Sequence, residues 1–346
     1  MKKQNFNIQK ISLTFLSFFF IFSPFSVSCK NLNTIAESSN SKAECVMELE
    51  SRRILYESNG ETRLPMASTT KIMTAITVLE HCKDLETPFE IPNEAIGVEG
   101  SSIYLKEGDK YSVSDLLYGL MLRSGNDSAT ALALKVGGSL ANFALLMNKT
   151  AQKAGALNSC FKNPHGLPHN GHYTTARDLS YITCYALHNT FFQRIVSAKI
   201  YEPYQWLNKN KMLYKYPYAI GVKTGYTKEA GRCLVSAANK DDITLVCTVL
   251  SCADMYNRSI ELFNSCFSTY KREKIIDKEQ VFSFTNNENI IKGKTKQDFY
   301  YPLCDGEKEH IETVIRPKTE KNKEIIGEIE IYLLKRLIFS GNLYKL

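Results

Sequence analysis

The sequence predicts a mixed α/β (α+β) protein. An antiparallel sheet is flanked by helices, a helical subdomain is inserted between its strands, and a small β domain follows. Three observations carry this. Strand-length apolar pieces lie at both ends of one long region, in Ala43–Glu57 and Ile220–Leu250. Between them, apolar residues recur at helical spacing. Beyond Lys271 the composition shifts to lysine, glutamate and asparagine, with short alternating runs such as Lys323–Tyr332. A length of 346 residues suits about two domains.

Residues 1–28 stand apart. Lys2, Lys3 and Lys10 precede an apolar run, Ile11–Val27, and Ser26 and Ser28 offer small residues before a cleavage at Cys29. This is the layout of a secretory signal peptide, and it predicts export across the cytoplasmic membrane. Two alternatives stay open: an uncleaved anchor, since the run is only slightly short of a span, and a lipid on Cys29. Removing the segment lowers the net charge from +7 to +4. That is too mild for a nucleic-acid partner, and no aromatic-studded basic cluster supports one. Residues 29–42 are polar and read as a linker.

The ten cysteines are scattered, with no CxxC pair and no interleaved histidine at zinc spacing. Cys45, Cys233 and Cys247 fall in apolar strand-like runs, which favours reduced core thiols over a disulfide framework. No metal and no cofactor is predicted. His165, His169 and His172 lie in a Gly/Pro-rich loop without acid or cysteine ligands nearby.

The elements follow in order. Ala43–Glu57 reads as two strand pieces, and Ser58-Asn59-Gly60 as a turn. Ile72, Ala75, Ile76 and Leu79 mark a helix with Pro65 near its entrance, and Met73 and Val78 make it apolar on several sides, as in a buried helix. Ser112 or Ser114 can cap a helix whose first turn holds Asp115. Arg123–Asp127 breaks that helix, and Ser128–Val136 and Ala141–Ala154 follow, the latter ended by Gly155. Asn163–Tyr173 is an irregular loop. Thr174 or Thr175 can cap the next helix, with Asp178 in its first turn. Ile220–Thr227, Arg232–Ala238 and Ile243–Leu250 read as strands, the last two as a hairpin. A helix over Met255–Tyr270 closes the predicted catalytic domain, residues 43–270, and residues 271–346 form the β domain.

Three short signals occur in order: Ser68-Thr69-Thr70-Lys71, Ser124-Gly125-Asn126 and Lys223-Thr224-Gly225. Ser68 and Lys71, three apart at a helix N-terminus, share a face, and a hydroxyl beside an amine kept neutral can become a nucleophile. Each signal has an ordinary reading, as a helix cap, a turn or a strand end, and Ser39–Lys42, Ser159–Lys162 and Ser268–Lys271 repeat the first spacing. The set is specific because each member falls in the required setting: a buried helix opening, a break between helices, and the end of a strand-like run. The trio marks penicillin-binding proteins and class A β-lactamases.

The flanks narrow the choice. ASTTKIMTA around Ser68, DLLYGLMLRSGNDSATALA around Ser124, NPHGLPHNGHYTTARDLS and GVKTGYTKEAGRCLVSAA resemble the serine-type D-alanyl-D-alanine carboxypeptidases, the low-molecular-mass penicillin-binding proteins. The resemblance covers roughly Ala43–Tyr270 and implies a β-lactamase/transpeptidase-like fold. It implies removal of the terminal D-alanine from peptidoglycan stem pentapeptides, acylation by β-lactams, and work in or near the cell wall, membrane-associated or secreted. Carried onto this chain, it makes Ser68 the nucleophile, Lys71 the general base and Ser124 a proton relay bridging Lys71 and Lys223. Asn126 would hold Lys71 and hydrogen-bond the substrate backbone. Lys223 and Thr224 would bind the substrate carboxylate, Gly225 would let the substrate lie against the strand, and the Ser68 and Tyr226 N–H groups would form the oxyanion hole. Asn208, Asn210 and Lys211 are further candidates to line the cleft.

Two other functions compete. A β-lactamase needs an added carboxylate to activate water, and no loop acid resembling that family's is identifiable. A non-catalytic wall-binding protein would not need intact motifs. At the C-terminus, Ile331–Leu346 is apolar and basic, so a final strand and an amphipathic helix in peripheral membrane contact are both open.

Overall fold

The structure, a computed structural model, describes residues 40–286, 289–318 and 324–346. The proposed signal peptide, Cys29 and most of the linker lie outside the described residues. The chain runs β1 (Ala43–Glu48), β2 (Ile54–Ser58), α1 (Lys71–His81), α2 (Val113–Tyr118), α3 (Asn126–Gly137), α4 (Leu140–Ala154), α5 (Ala176–Leu187) and α6 (Thr190–Ser197). It then returns to β3 (Ala219–Thr227), β4 (Gly231–Lys240), β5 (Ile243–Leu250) and α7 (Met255–Thr269). The five strands form one antiparallel sheet in the order β2-β1-β5-β4-β3.

Alternation along the strands explains why this sheet is covered on both sides. Cys45 and Met47 of β1, Val235 and Ala237 of β4 and Val246 of β5 join a core with α1 and α5. Their neighbours Val46, Leu234, Leu245 and Cys247 face the opposite way, onto Leu262, Phe263 and Cys266 of α7. On that face Glu44 is fully buried, and Arg258 pays for it: Nε and Nη2 donate to its two oxygens at 2.7 and 2.8 Å. Asp241 and Asp242, both at positive φ (50° and 61°), make the two-residue turn between β4 and β5, as the right-handed twist of a hairpin favours.

Helix α1 is the axis of the helical subdomain, with Ile72, Met73, Ala75, Ile76 and Val78 all buried. Ser112 caps α2 in a capping box with Asp115. That helix widens into a π-helical turn, Gly119–Arg123, which stops at Ser124. Gly155, at φ 91°, ends α4, and Thr175 caps α5 by accepting from the Asp178 N–H.

Residues beyond Lys271 form β6 (Lys271–Ile276), β7 (Phe282–Asn286), β8 (Asn289–Lys294), β9 (Phe299–Leu303), β10 (Ile311–Pro317), β11 (Ile325–Leu333) and β12 (Arg336–Lys345). β6 pairs with β9, and the others order β7-β8-β12-β11-β10. The C-terminal alternative thus resolves as strand, with the alternating residues Ile329 and Ile331 buried in a small core. Arg53 pins this part to the catalytic part. Its Nη1 donates to Pro302 O (2.6 Å) and Glu307 Oε2 (2.9 Å), and its guanidinium lies over the Tyr270 and Tyr301 rings.

Of the nine cysteines among the described residues, seven are buried. Burial raises the Cys45 thiol to about 12 and pushes Cys184 and Cys247 well up, as suits small core hydrophobes.

Candidate active site

Ser68 sits in a 3₁₀ turn, Ala67–Thr70, that runs straight into α1. Ala67 enters it at φ 48°, a left-handed conformation unusual for a residue with a side chain. Lys71, the first residue of α1, is fully buried. Its Nζ lies 3.0 Å from Ser68 Oγ and donates to Asn126 Oδ1 (2.6 Å) and to the His165 carbonyl (2.7 Å). Three segments far apart in sequence therefore meet on one amine.

The second segment is the break after α2. Ser124 is held at φ 64°, ψ 34°, and Asn126 opens α3. The Asn126 amide is used at both ends, since Nδ2 donates to Glu99 O. Buried Asp127 fixes the same loop: its carboxylate accepts from Ser102 Oγ (2.5 Å), from the Ile103 N–H and from the Leu105 N–H. Among the described residues, neither lysine amine is hydrogen-bonded to Ser124 Oγ, so the bridge between the lysines expected from the resemblance is not made in this geometry.

The His165 loop is the third segment, and a fourth, β3, borders the same site as an edge strand paired only with β4. Lys223 is buried and donates to Thr224 O at 3.2 Å. Gly225 lines the cleft and also has a packing role that the sequence did not show. A Cβ there would stand 3.0 Å from Met66 O, Ser68 N and Thr69 N. The missing side chain lets the strand press against the Ser68 turn.

The two amines are shifted for the same reasons. Burial, then the nearby charge of Lys223, holds Lys71 well below the ordinary lysine value, with Asp127 opposing. Burial, then Lys209, brings Lys223 down to about 7.

The loop over Asn163–Tyr173 braces the turn. Thr74 Oγ1 donates to Pro164 O (2.6 Å), and Gly166, at φ 89°, passes so close that a Cβ would meet Ala67 O. Burial lowers the His172 ring to about 3. Its Nδ1 accepts from the Lys162 N–H (3.0 Å), which leaves the neutral ring's proton on Nε2, facing Thr70 Oγ1 at 2.9 Å; that hydroxyl donates to Ala67 O. His172 is therefore a strut beneath the Ser68 turn.

A cleft of about 610 Å³ lies over these groups, lined by Ser68, Ser124, Thr224, Gly225 and Tyr226, with Ser101, Lys209, Arg232, Met255 and Tyr256 around them. Of the sequence candidates, Asn208, Asn210 and Lys211 do not line it. Asn208 Nδ2 donates to Ala198 O, Asn210 Oδ1 accepts from the Met212 N–H, and Lys211 is exposed. The residue between the two asparagines, Lys209, is the one that reaches the cleft. The strand alternation of β4 could have flagged Arg232, which pairs with Tyr226. The His165 carbonyl carries no side-chain signal at all.

A family model described as D-alanyl-D-alanine carboxypeptidase, peptidase S11, matches residues 30–254. The chain belongs to this peptidase family. Two relatives bear that name: DacF of Bacillus subtilis, 31% identical across 74% of this chain and 68% of its own length, and DacA of Haemophilus influenzae, 27% identical across 96% and 91%. Penicillin-binding protein 5 from Haemophilus influenzae has a similar structure, with a TM-score of 0.74 at 26% identity over 88% of this chain and 96% of that one. Membership makes the chain a serine-type hydrolase of the penicillin-binding class, in which acylation by β-lactams is typical.

Proposed function

We propose that Ser68, activated by Lys71, removes the terminal D-alanine from peptidoglycan stem pentapeptides. The observation that carries this is how the Lys71 amine is shared. A neutral amine has two protons and one lone pair. With Asn126 Oδ1 and His165 O taking the protons, the lone pair is left for the Ser68 hydroxyl. Lys71 takes the Ser68 proton as Oγ attacks the carbonyl carbon of the penultimate residue. The Ser68 and Tyr226 N–H groups receive the oxyanion. As the C–N bond breaks, the departing amine takes the proton held by Lys71, with the Ser124 hydroxyl at the cleft wall turning toward Lys71 to relay it. Water then cleaves the ester by the reverse path. Lys223 and Thr224 hold the substrate carboxylate, and Arg232 and Lys209 add positive charge to the same cleft.

No aspartate or glutamate is among the residues lining the cleft, which supports slow deacylation over a β-lactamase's turnover. A chromogenic cephalosporin should give a one-to-one burst, and sustained hydrolysis would reverse that reading. Residues 1–28 would export the chain to the wall. Fluorescent penicillin should label the wild type and not Ser68→Ala, and mass spectrometry should show the pentapeptide losing one D-alanine. Equal labelling of both proteins would overturn the assignment of Ser68.

A further inference from the structure

Beyond Tyr226 on the same strand, Thr227 and Glu229 border a gap of about 10 Å³, which shares Pro65, Pro168, His169 and Glu229 with a second hollow of about 510 Å³. Arg63, Pro65, Pro168, His169, Tyr173 and Glu229 border this hollow. Its charges are few and of both signs. Arg63 lies over the Tyr173 ring at 4.9 Å and donates to Asn158 Oδ1 at 3.2 Å, so its guanidinium is held in place with donors to spare. Glu229 is exposed and, among the described residues, has no hydrogen bond or ion pair.

Strand polarity says which part of a substrate would arrive there. With the terminal carboxylate at Lys223 and Thr224 and the reacting carbonyl at Tyr226, the peptide runs antiparallel along the open edge of β3. Its N-terminal side must then pass Thr227 toward Glu229. At about 3.3 Å per residue, the residue before the penultimate alanine falls at the mouth of the hollow.

We propose that this hollow is a specificity subsite for the third residue of the stem peptide, and that it selects a side chain ending in both an ammonium and a carboxylate. Glu229 accepts from the ammonium and Arg63 donates to the carboxylate. A lysine-type side chain satisfies only the first, and a neutral one neither. This inference rests on the carboxypeptidase reading above.

The test uses the full chain and synthetic peptides ending in X-D-Ala-D-Ala. X is meso-diaminopimelate, the same residue with its side-chain amine acetylated, the same with its side-chain carboxylate amidated, or norleucine. Release of D-alanine gives kcat/KM for each. The wild type should favour the zwitterionic peptide over either blocked form by about tenfold, the value of one charge-assisted hydrogen bond. Glu229→Gln should lose discrimination against the acetylated peptide only, and Arg63→Gln against the amidated peptide only. Each ratio is taken within one variant, so a general folding defect cancels. Equal kcat/KM for all four peptides in the wild type would overturn the subsite while leaving the carboxypeptidase reading intact. Release from none of them would overturn that reading, and the subsite with it.

Discussion

Replacing Gly225 with alanine tests the closest backbone contact in the site. The added methyl would stand 3.0 Å from three backbone atoms of the nucleophile turn, about 0.4 Å inside ordinary contact. The strand has little room to retreat, because Gly225 pairs with fully buried Cys233 on β4. The turn is equally confined, with Thr70 braced by His172 and Gly166 lying against Ala67. Overpacking of this kind costs about 1–3 kcal/mol of stability. Its larger effect falls on geometry, since the Ser68 and Tyr226 N–H groups flank the contact. A displacement of a few tenths of an ångström at both proposed oxyanion donors should slow acylation about tenfold. Stopped-flow labelling with a fluorescent penicillin measures this directly, and urea unfolding reports the stability. If Gly225→Ala acylates at the wild-type rate and unfolds at the wild-type midpoint, the contact argument is wrong.

Four further outcomes follow from the structure. Lys71 must be neutral and Lys223 charged, so kcat/KM of the free enzyme should fall above about pH 7, as Lys223 loses its proton. Lys223 binds its proton less tightly folded than unfolded, so the unfolded chain holds more protons between about 7 and 10.5, and stability rises with pH across that window. Lys223→Met should therefore raise the urea midpoint while abolishing activity, and its advantage over the wild type should shrink as pH rises through the window. Arg53→Ala strands Glu307, whose side chain is 6% exposed, and should cost about 3 kcal/mol. Removing Glu307 as well should recover part of that loss, and an additive double variant would refute the coupling. Asp127→Ala frees the Ser102–Leu105 loop and should lower kcat/KM about tenfold through the positions of Asn126 and Ser101, measured as D-alanine release.

The side chains that would do the chemistry were legible because each is carried by a short string in a recognisable setting. Ser68 and Lys71 needed only a helix start, Ser124 and Asn126 only a helix break, and Lys223 only a strand. Their support was not legible. The His165 carbonyl that helps position Lys71 is backbone, and any residue type could supply it. Asp127 was read only as part of the break between helices, since the loop folded over its carboxylate cannot be seen in the sequence. Lys209 was missed by one position because the asparagines beside it look more like ligands, whereas their side-chain oxygens accept from the N–H groups of their own turn. The packing of Gly225 against the Ser68 turn was not legible, because a sequence does not say what a missing Cβ would strike. At the C-terminus, strand and helix could not be separated on apolar content alone; the pairing of β12 with β11 decides it.

The buried thiols carry a practical consequence for handling this molecule. Once the chain is folded, seven of the nine among the described residues lie inside it, and dissolved oxygen or disulfide reagents should find little to react with there. During synthesis, transit or refolding every one is exposed at once, and random cross-links would trap the chain before its sheet closes. Recovery from denaturant should therefore depend steeply on added reductant, while the finished enzyme should keep its activity with or without it.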